Sequence, residues 1–140
     1  MTLTIGLTQD ITACRALRRV VFIEEQRVPE ADEIDDLDEE ALHLLAVRDG
    51  LAVGTARLLV QGETVKVGRV CVLADQRGQG LGAALMQAAV AQARAMPGVV
   101  KVKLGAQTHA VGFYERLGFV AVGPEFDDAG IAHRDMVLVL

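Results

Sequence analysis

The chain has 140 residues, 51% of them hydrophobic and 24% charged, with a formal net charge of −5. That length and balance fit one globular domain over residues 1–140, and the negative charge excludes a protein that grips nucleic acid with a basic face. No apolar run approaches the ~20 residues that cross a bilayer, no export signal is visible at Met1-Thr2-Leu3, and Cys14 and Cys71 sit in apolar segments, so a cytoplasmic protein with free buried thiols and no membrane partner is expected.

Thr2–Leu7 alternates as a first strand. Asp10 is placed to cap a helix carrying Ile11, Cys14, Leu17 and Val21 on one face, with Arg15, Arg18 and Arg19 mostly outside. The helix runs on toward Phe22–Gln26 until Pro29 interrupts it. From Glu24 to Glu40 lie ten of the nineteen acidic residues, with Arg27 the only base. Such a run reads as a solvated face or as an acidic rim that attracts a cationic amine, and Ile34 and Leu37 suggest that it folds back onto the body.

Three strands follow, Leu42–Arg48, Leu51–Val60 and Thr64–Leu73. Asp49-Gly50 joins the first two as a hairpin, and Gln61-Gly62-Glu63 turns into the third, giving an antiparallel meander. A helix then runs to Met96 and stops at Pro97-Gly98. Val99–Leu104 is an apolar-rich strand, which makes strand, helix and strand one parallel crossover. A short helix over Thr108–Leu117 ends at Gly118, and Phe119–Val122 and Met136–Leu140 close the sheet around a loop at Gly123–Gly130. The count is about seven strands and four helices in a mixed α/β arrangement.

Between the third meander strand and the following helix lie Gly78, Gly80 and Gly82, led by Arg77. A strand that turns through glycines into a helix aims free N–H groups and the positive helix end at one spot, suited to phosphate or pyrophosphate. A nucleoside triphosphate loop needs a lysine after its glycines, and none follows here. Gly78-Gln79-Gly80-Leu81-Gly82-Ala83 contains the Gly-x-Gly-x-x-Ala of a dinucleotide loop. That loop, however, opens a parallel unit and wants an acid after the next strand, where Leu104-Gly105 stands.

Arg77-x-x-Gly80-x-Gly82 resembles the Arg/Gln-x-x-Gly-x-Gly/Ala pyrophosphate loop of the GNAT superfamily of N-acetyltransferases. Val70-Cys71-Val72 stands where that family has its pantetheine-contacting strand. Downstream, Ala110-Val111-Gly112-Phe113-Tyr114, closing at Gly118-Phe119, is similar to the family's second signature, A-x-x-F-Y-x-x-x-G-F. The flanks Val21–Gln26, the acids Asp36 and Asp38 before Ala41-Leu42-His43, the Ala106-Gln107 pair with His109, and the tail Phe126–His133 resemble the ElaA/YjcF-type branch. The resemblance covers nearly the whole chain.

It implies a GNAT-like fold, a mostly antiparallel twisted sheet whose central strands splay to admit coenzyme A. It also implies transfer of an acetyl group from acetyl-CoA to a primary amine by direct attack in a ternary complex. Backbone N–H groups from Gly78 through Gln79, Gly80 and Gly82 to Ala83 would hold the pyrophosphate, with Arg77 adding charge or simply facing solvent. Val70, Cys71 and Val72 would meet pantetheine, the Val70 N–H donating to the thioester carbonyl as in an oxyanion hole. Tyr114, the only tyrosine, would share a helix face with Gln107 and Val111. Its phenol, of reference pKa about 10, would protonate the leaving thiolate, the alternative being a core-edge aromatic. Gln107 stands where many relatives carry a cofactor-bonding Asn.

The base stays open. Lys66 stands where some relatives have a glutamate, which leaves Glu25, His43 and the acids around Asp36. Phe22, Glu25, Gln26, His43 and His133 are expected near the acceptor, a small-molecule or peptide amine; His43, in a strand, reads more readily as a hydrogen-bonded structural histidine than as a base. The three histidines lack metal-ligand spacing, so no metal is expected. A monomer or homodimer is expected. The alternative from another class is a non-catalytic acyl-CoA-binding module, which needs the glycine loop but neither Tyr114 nor a base.

Overall fold

A computed structural model describes residues 2–140. Its strands are β1 (Leu3–Thr8), β2 (Leu42–Arg48), β3 (Leu51–Gln61), β4 (Thr64–Val72), β5 (Lys101–Gln107), β6 (Val120–Asp128) and β7 (Ile131–Val139). The helices are α1 (Ile11–Arg18), α2 (Glu30–Glu33), α3 (Leu81–Arg94) and α4 (Val111–Arg116). The seven strands form one sheet in the order β1-β2-β3-β4-β5-β7-β6. Only β4 and β5 pair in parallel; every other neighbour is antiparallel, the mixed architecture expected from the sequence. No helix among the described residues is long and apolar enough to cross a membrane.

The core lies where α3 covers the sheet. Its buried Leu81, Leu85, Met86, Ala89 and Ala93 meet Ala56, Leu58, Val65, Val67, Val102, Leu104 and Met136. Gly54 lets α3 approach β3: a Cβ there would stand 2.9 Å from Leu85 Cδ1 and 3.1 Å from the Cys71 carbonyl oxygen. A smaller cluster of Leu17, Val21 and Cys71 holds α1 against the sheet. Asp10 caps α1 through the Ala13 N–H at 3.1 Å, and the helix continues as a π-helical turn over Arg19–Glu25.

Four expectations are corrected. Arg18 is not outside; it is 1% exposed, on the same stripe as Cys14 and Val21, and carboxylates meet it there. Ile34 does not fold back, being 54% exposed; arginines, described below, hold the acidic segment down. Gly123–Gly130 is not a loop. Strand β6 absorbs Gly123-Pro124-Glu125 as an irregularity in register, which an edge strand tolerates, and the turn proper is Ala129-Gly130, both at positive φ. Finally, β5 is displaced toward the C-terminus, so Gln107 ends a strand and shares no helix face with Tyr114.

Candidate active site

Strands β4 and β5 pair at only three positions, Thr64 with Lys101, Val65 with Val102 and Lys66 with Lys103. Beyond Lys66 the two strands diverge. The divergence accompanies a bulge on β4: Gly68 opposes Arg57 and Cys71 opposes Thr55, so Arg69 and Val70 together face Ala56. Arg69 has φ of +52°, a left-handed conformation that costs a side-chain-bearing residue about 1–3 kcal/mol. A bulge bends its strand and leaves a residue unpaired, which turns β4 away from β5 at this point. The sequence carries a signal for it, a glycine (Gly68) inside a strand pattern.

The gap opens into a groove of about 480 Å³, lined by Val67–Val70 of β4, Leu104, Gly105 and Gln107 of β5, and Tyr114 of α4. Gly105 lies against the Phe126 ring, which a Cβ there would touch at 3.5 Å, an ordinary contact. Of the residues expected near the acceptor, Phe22, Gln26 and His133 line the groove, as do Lys66 and His109. The Gln107 amide donates to Gln26 Oε1 at 2.9 Å, joining the end of β5 to the end of the π-helical turn. The Tyr114 ring packs edge-on against Phe113 and Phe119, at 5.0 and 6.0 Å between centroids, and burial raises its phenol above the ordinary pKa.

Strand β4 then leads through a 3-10 turn, Ala74–Gln76, into the glycines and α3. Gly78 and Gly80 take φ of +79° and +78°, and a Cβ at either meets no atom within 4 Å. Their requirement is therefore conformational. Among the described residues no protein acceptor takes the N–H groups of Gly78 through Ala83, and Gly80 caps the 14-residue α3 without a side chain. Six free donors at the positive end of a helix make an anion cradle, so the residues present fit a pyrophosphate.

Arg77 does not point freely at that cradle. Its Nε donates to the Val72 carbonyl at 3.0 Å, and its two terminal nitrogens donate to Glu25 at 2.6 and 2.8 Å. Hydrogen bonding to Arg77 lowers the Glu25 pKa, so this carboxylate is a weak base, and Glu25 does not line the groove. His43 is 3% exposed and donates from Nε2 to the Asp38 carbonyl at 2.8 Å, away from the groove. Asp36 does not reach the groove either. The Cys71 side chain packs beside Leu17 and Val21, and burial pushes its thiol up to about 12.

The acidic segment is neutralised rather than bare. Arg18 grips both Asp38 oxygens at 2.8 and 2.7 Å and Glu33 at 2.8 Å. Arg57 holds Asp35 at 2.8 and 2.9 Å and Asp38 at 3.1 Å, while Arg69 donates to the Glu33 carbonyl at 3.0 Å. Arg57, Arg69, Glu33 and Asp35 also line one end of the groove. Position in the helical stripe was the available signal for Arg18: Cys14, Arg18 and Val21 follow the i, i+4, i+7 spacing of a buried face.

The splayed strands, the bulge and the cradle stand on one continuous piece of chain. The family model described as "Acetyltransferase (GNAT) domain" matches residues 17–140. The chain belongs to the GNAT family. As a member it is an acyl-CoA-dependent N-acyltransferase. An uncharacterised N-acetyltransferase, YjcF, of Bacillus subtilis is 38% identical over 122 residues, 86% of each chain. An acyl-CoA N-acyltransferase from Pseudomonas aeruginosa is 34% identical with a TM-score of 0.88, covering 98% of this GNAT chain and 99% of its own. Escherichia coli ElaA is 29% identical with a TM-score of 0.86 over the same shares.

Proposed function

We propose that this GNAT domain transfers an acetyl group from acetyl-CoA to a primary amine of a small molecule or peptide, by direct attack in a ternary complex. The observation that carries the reading is the continuity of the three-rung β4–β5 join, the bulge at Arg69-Val70 and the free donors of Gly78–Ala83. Acetyl-CoA supplies the activated acyl group as a thioester. The N–H groups from Gly78 to Ala83, including Gln79 and Gly82, bind the pyrophosphate. Backbone of Val70, Cys71 and Val72 runs along pantetheine, and the Val70 N–H polarises the carbonyl.

Tyr114 is the proton donor to the departing sulfur. Its raised pKa keeps the phenol protonated in neutral solution, the form a general acid needs. Phe22 and Gln26 shape the acceptor end, and Gln107 positions Gln26 from β5. The enzyme works in the cytoplasm, where Cys14 and Cys71 stay reduced.

The test is calorimetry with coenzyme A, followed by release of free thiol from acetyl-CoA across a panel of primary amines. Binding with turnover on some amine supports the reading. Tight binding without turnover on any amine would replace it with an acyl-CoA-binding module.

A further inference from the structure

We infer that His133 is the general base that deprotonates the acceptor amine, an inference that rests on the acetyl-transfer reading. His133 Nδ1 lies 2.7 Å from the Ile131 carbonyl oxygen. A carbonyl only accepts, so Nδ1 carries the hydrogen and the neutral ring presents its lone pair at Nε2. Nε2 has no protein partner among the described residues, and His133 lines the groove.

The ring is held for the task. It stacks on Phe126 at 5.8 Å and 25°, and in the register it stands directly opposite Gln107, the residue that ends β5 beside the β4–β5 gap. Stacking and the Nδ1 bond together fix ring plane and tautomer. Of the other candidates, Glu25 is clamped by Arg77, Asp35 by Arg57, His43 is buried under the arginine network and Asp36 is outside the groove. His109 also lines the groove, but it is exposed and no described contact fixes its ring. The charged groups on His133's wall are Asp128 of β6 and Asp135 of β7, the latter 3.9 Å from Lys103 of β5. The 3-10 turn over Thr108–Ala110, which packs against β7, adds His109, and from the opposite side the groove presents Asp32, Glu33, Asp35, Arg57, Lys66 and Arg69.

The protons balance as follows. His133 Nε2 takes one proton from the acceptor ammonium. The freed nitrogen pair forms the C–N bond at the acyl carbon, the C–S bond breaks, and sulfur leaves with that electron pair and accepts the Tyr114 proton. The second nitrogen proton, lost as the amide forms, restores Tyr114 through solvent. His133 releases its own proton to solvent, one per turnover.

The experiment compares the wild type with His133→Gln on two acceptors, propylamine, which is protonated at neutral pH, and hydroxylamine, which is not. Loss of about 10²-fold in kcat/KM with propylamine, and of less than about fivefold with hydroxylamine, is expected. In the variant the propylamine rate should follow the free-amine fraction alone, rising with pH toward the amine's own high pKa, with coenzyme A affinity unchanged. Ring ¹⁵N shifts of the neutral wild-type histidine should show hydrogen on Nδ1. Equal losses with both acceptors, an unchanged propylamine rate, or hydrogen on Nε2 would overturn the assignment while leaving acetyl transfer standing. A wild type that binds coenzyme A but releases thiol with no amine of the panel takes down both readings together.

Discussion

Arg77 and Glu25, 52 residues apart in sequence, face each other in a two-pronged ion pair at 2.6 and 2.8 Å. The cation nearest the glycine loop is thereby shared with a carboxylate from the π-helical turn, and the cradle's attraction for pyrophosphate rests on backbone donors. Replacing Glu25 by Gln removes a negative charge beside the cradle. Calorimetry should show coenzyme A binding tightened about two- to fivefold, more at low salt. Because both side chains are partly exposed, thermal stability should move by less than about 0.5 kcal/mol. Weakened binding would mean that Glu25 orients Arg77 toward the phosphates.

Tyr114→Phe removes the hydroxyl and keeps the ring among Phe113 and Phe119. A fall of about 10²-fold in kcat with coenzyme A affinity within about threefold is expected from stopped assays of free thiol. The pH profile carries a second signature. Burial raises the phenol pKa, so proton donation should persist at least to about pH 10 in the wild type before declining. Full activity in the variant would remove Tyr114 from the chemistry.

Gly80 and Gly98 share nearly the same backbone, φ of +78° and +82°, but only Gly80 belongs to the cradle. Alanine at either should cost about 1 kcal/mol of stability through the left-handed conformation. Gly80→Ala should also weaken coenzyme A binding by tenfold or more, because a Cβ enters the space before the free N–H groups. Gly98→Ala should leave binding unaltered. Thermal melts with calorimetry separate strain from recognition.

Their arginines lower the pKa of Asp35 and hold Asp38 well below the usual carboxylate range: hydrogen bonding to Arg57 acts on Asp35, and bonds to Arg18, Arg15 and Arg57 overcome the burial of Asp38. A depressed folded-state pKa means that the unfolded chain binds protons first as pH falls. The stabilisation is thus fully present above about pH 5 and declines as acidity passes the unfolded value near 3.9 toward the lower folded values. Melting followed by circular dichroism should be flat from about pH 5 to 7 and fall steeply below about pH 4. Asp38→Asn should flatten that fall while lowering stability at neutral pH.

Much of this fold was legible because its signals are local. Asp49-Gly50 fixes a hairpin by turn chemistry alone, Asp10 announces a cap, and the glycine loop declares itself by spacing. What escaped depends on pairing between distant segments. Arg18 looked like surface because charge suggests solvent, until carboxylates 15 and 20 residues away met it in the interior. Gly123-Pro124 reads as a loop, but an edge strand accommodates it. Glu25 stood out as a base by residue type, whereas its hydrogen bonds commit it to Arg77. The tautomer of His133 depends on one carbonyl oxygen and could not be read from sequence.

The three-rung join between β4 and β5 also divides the sheet mechanically. On one side stand β1 to β4, on the other β5, β7 and β6, and only the rungs from Thr64 to Lys66 bridge them as strand pairing. Prying the halves apart at the Val70 end breaks no ladder, since none exists there; α3, packed on β3, β4 and β5, acts as the strap that limits the spread. The molecule is a clothes-peg in which the spring is a helix and the jaws are half-sheets. Compliance is concentrated where a long, thin ligand must be threaded, and the rest of each half keeps its rigidity.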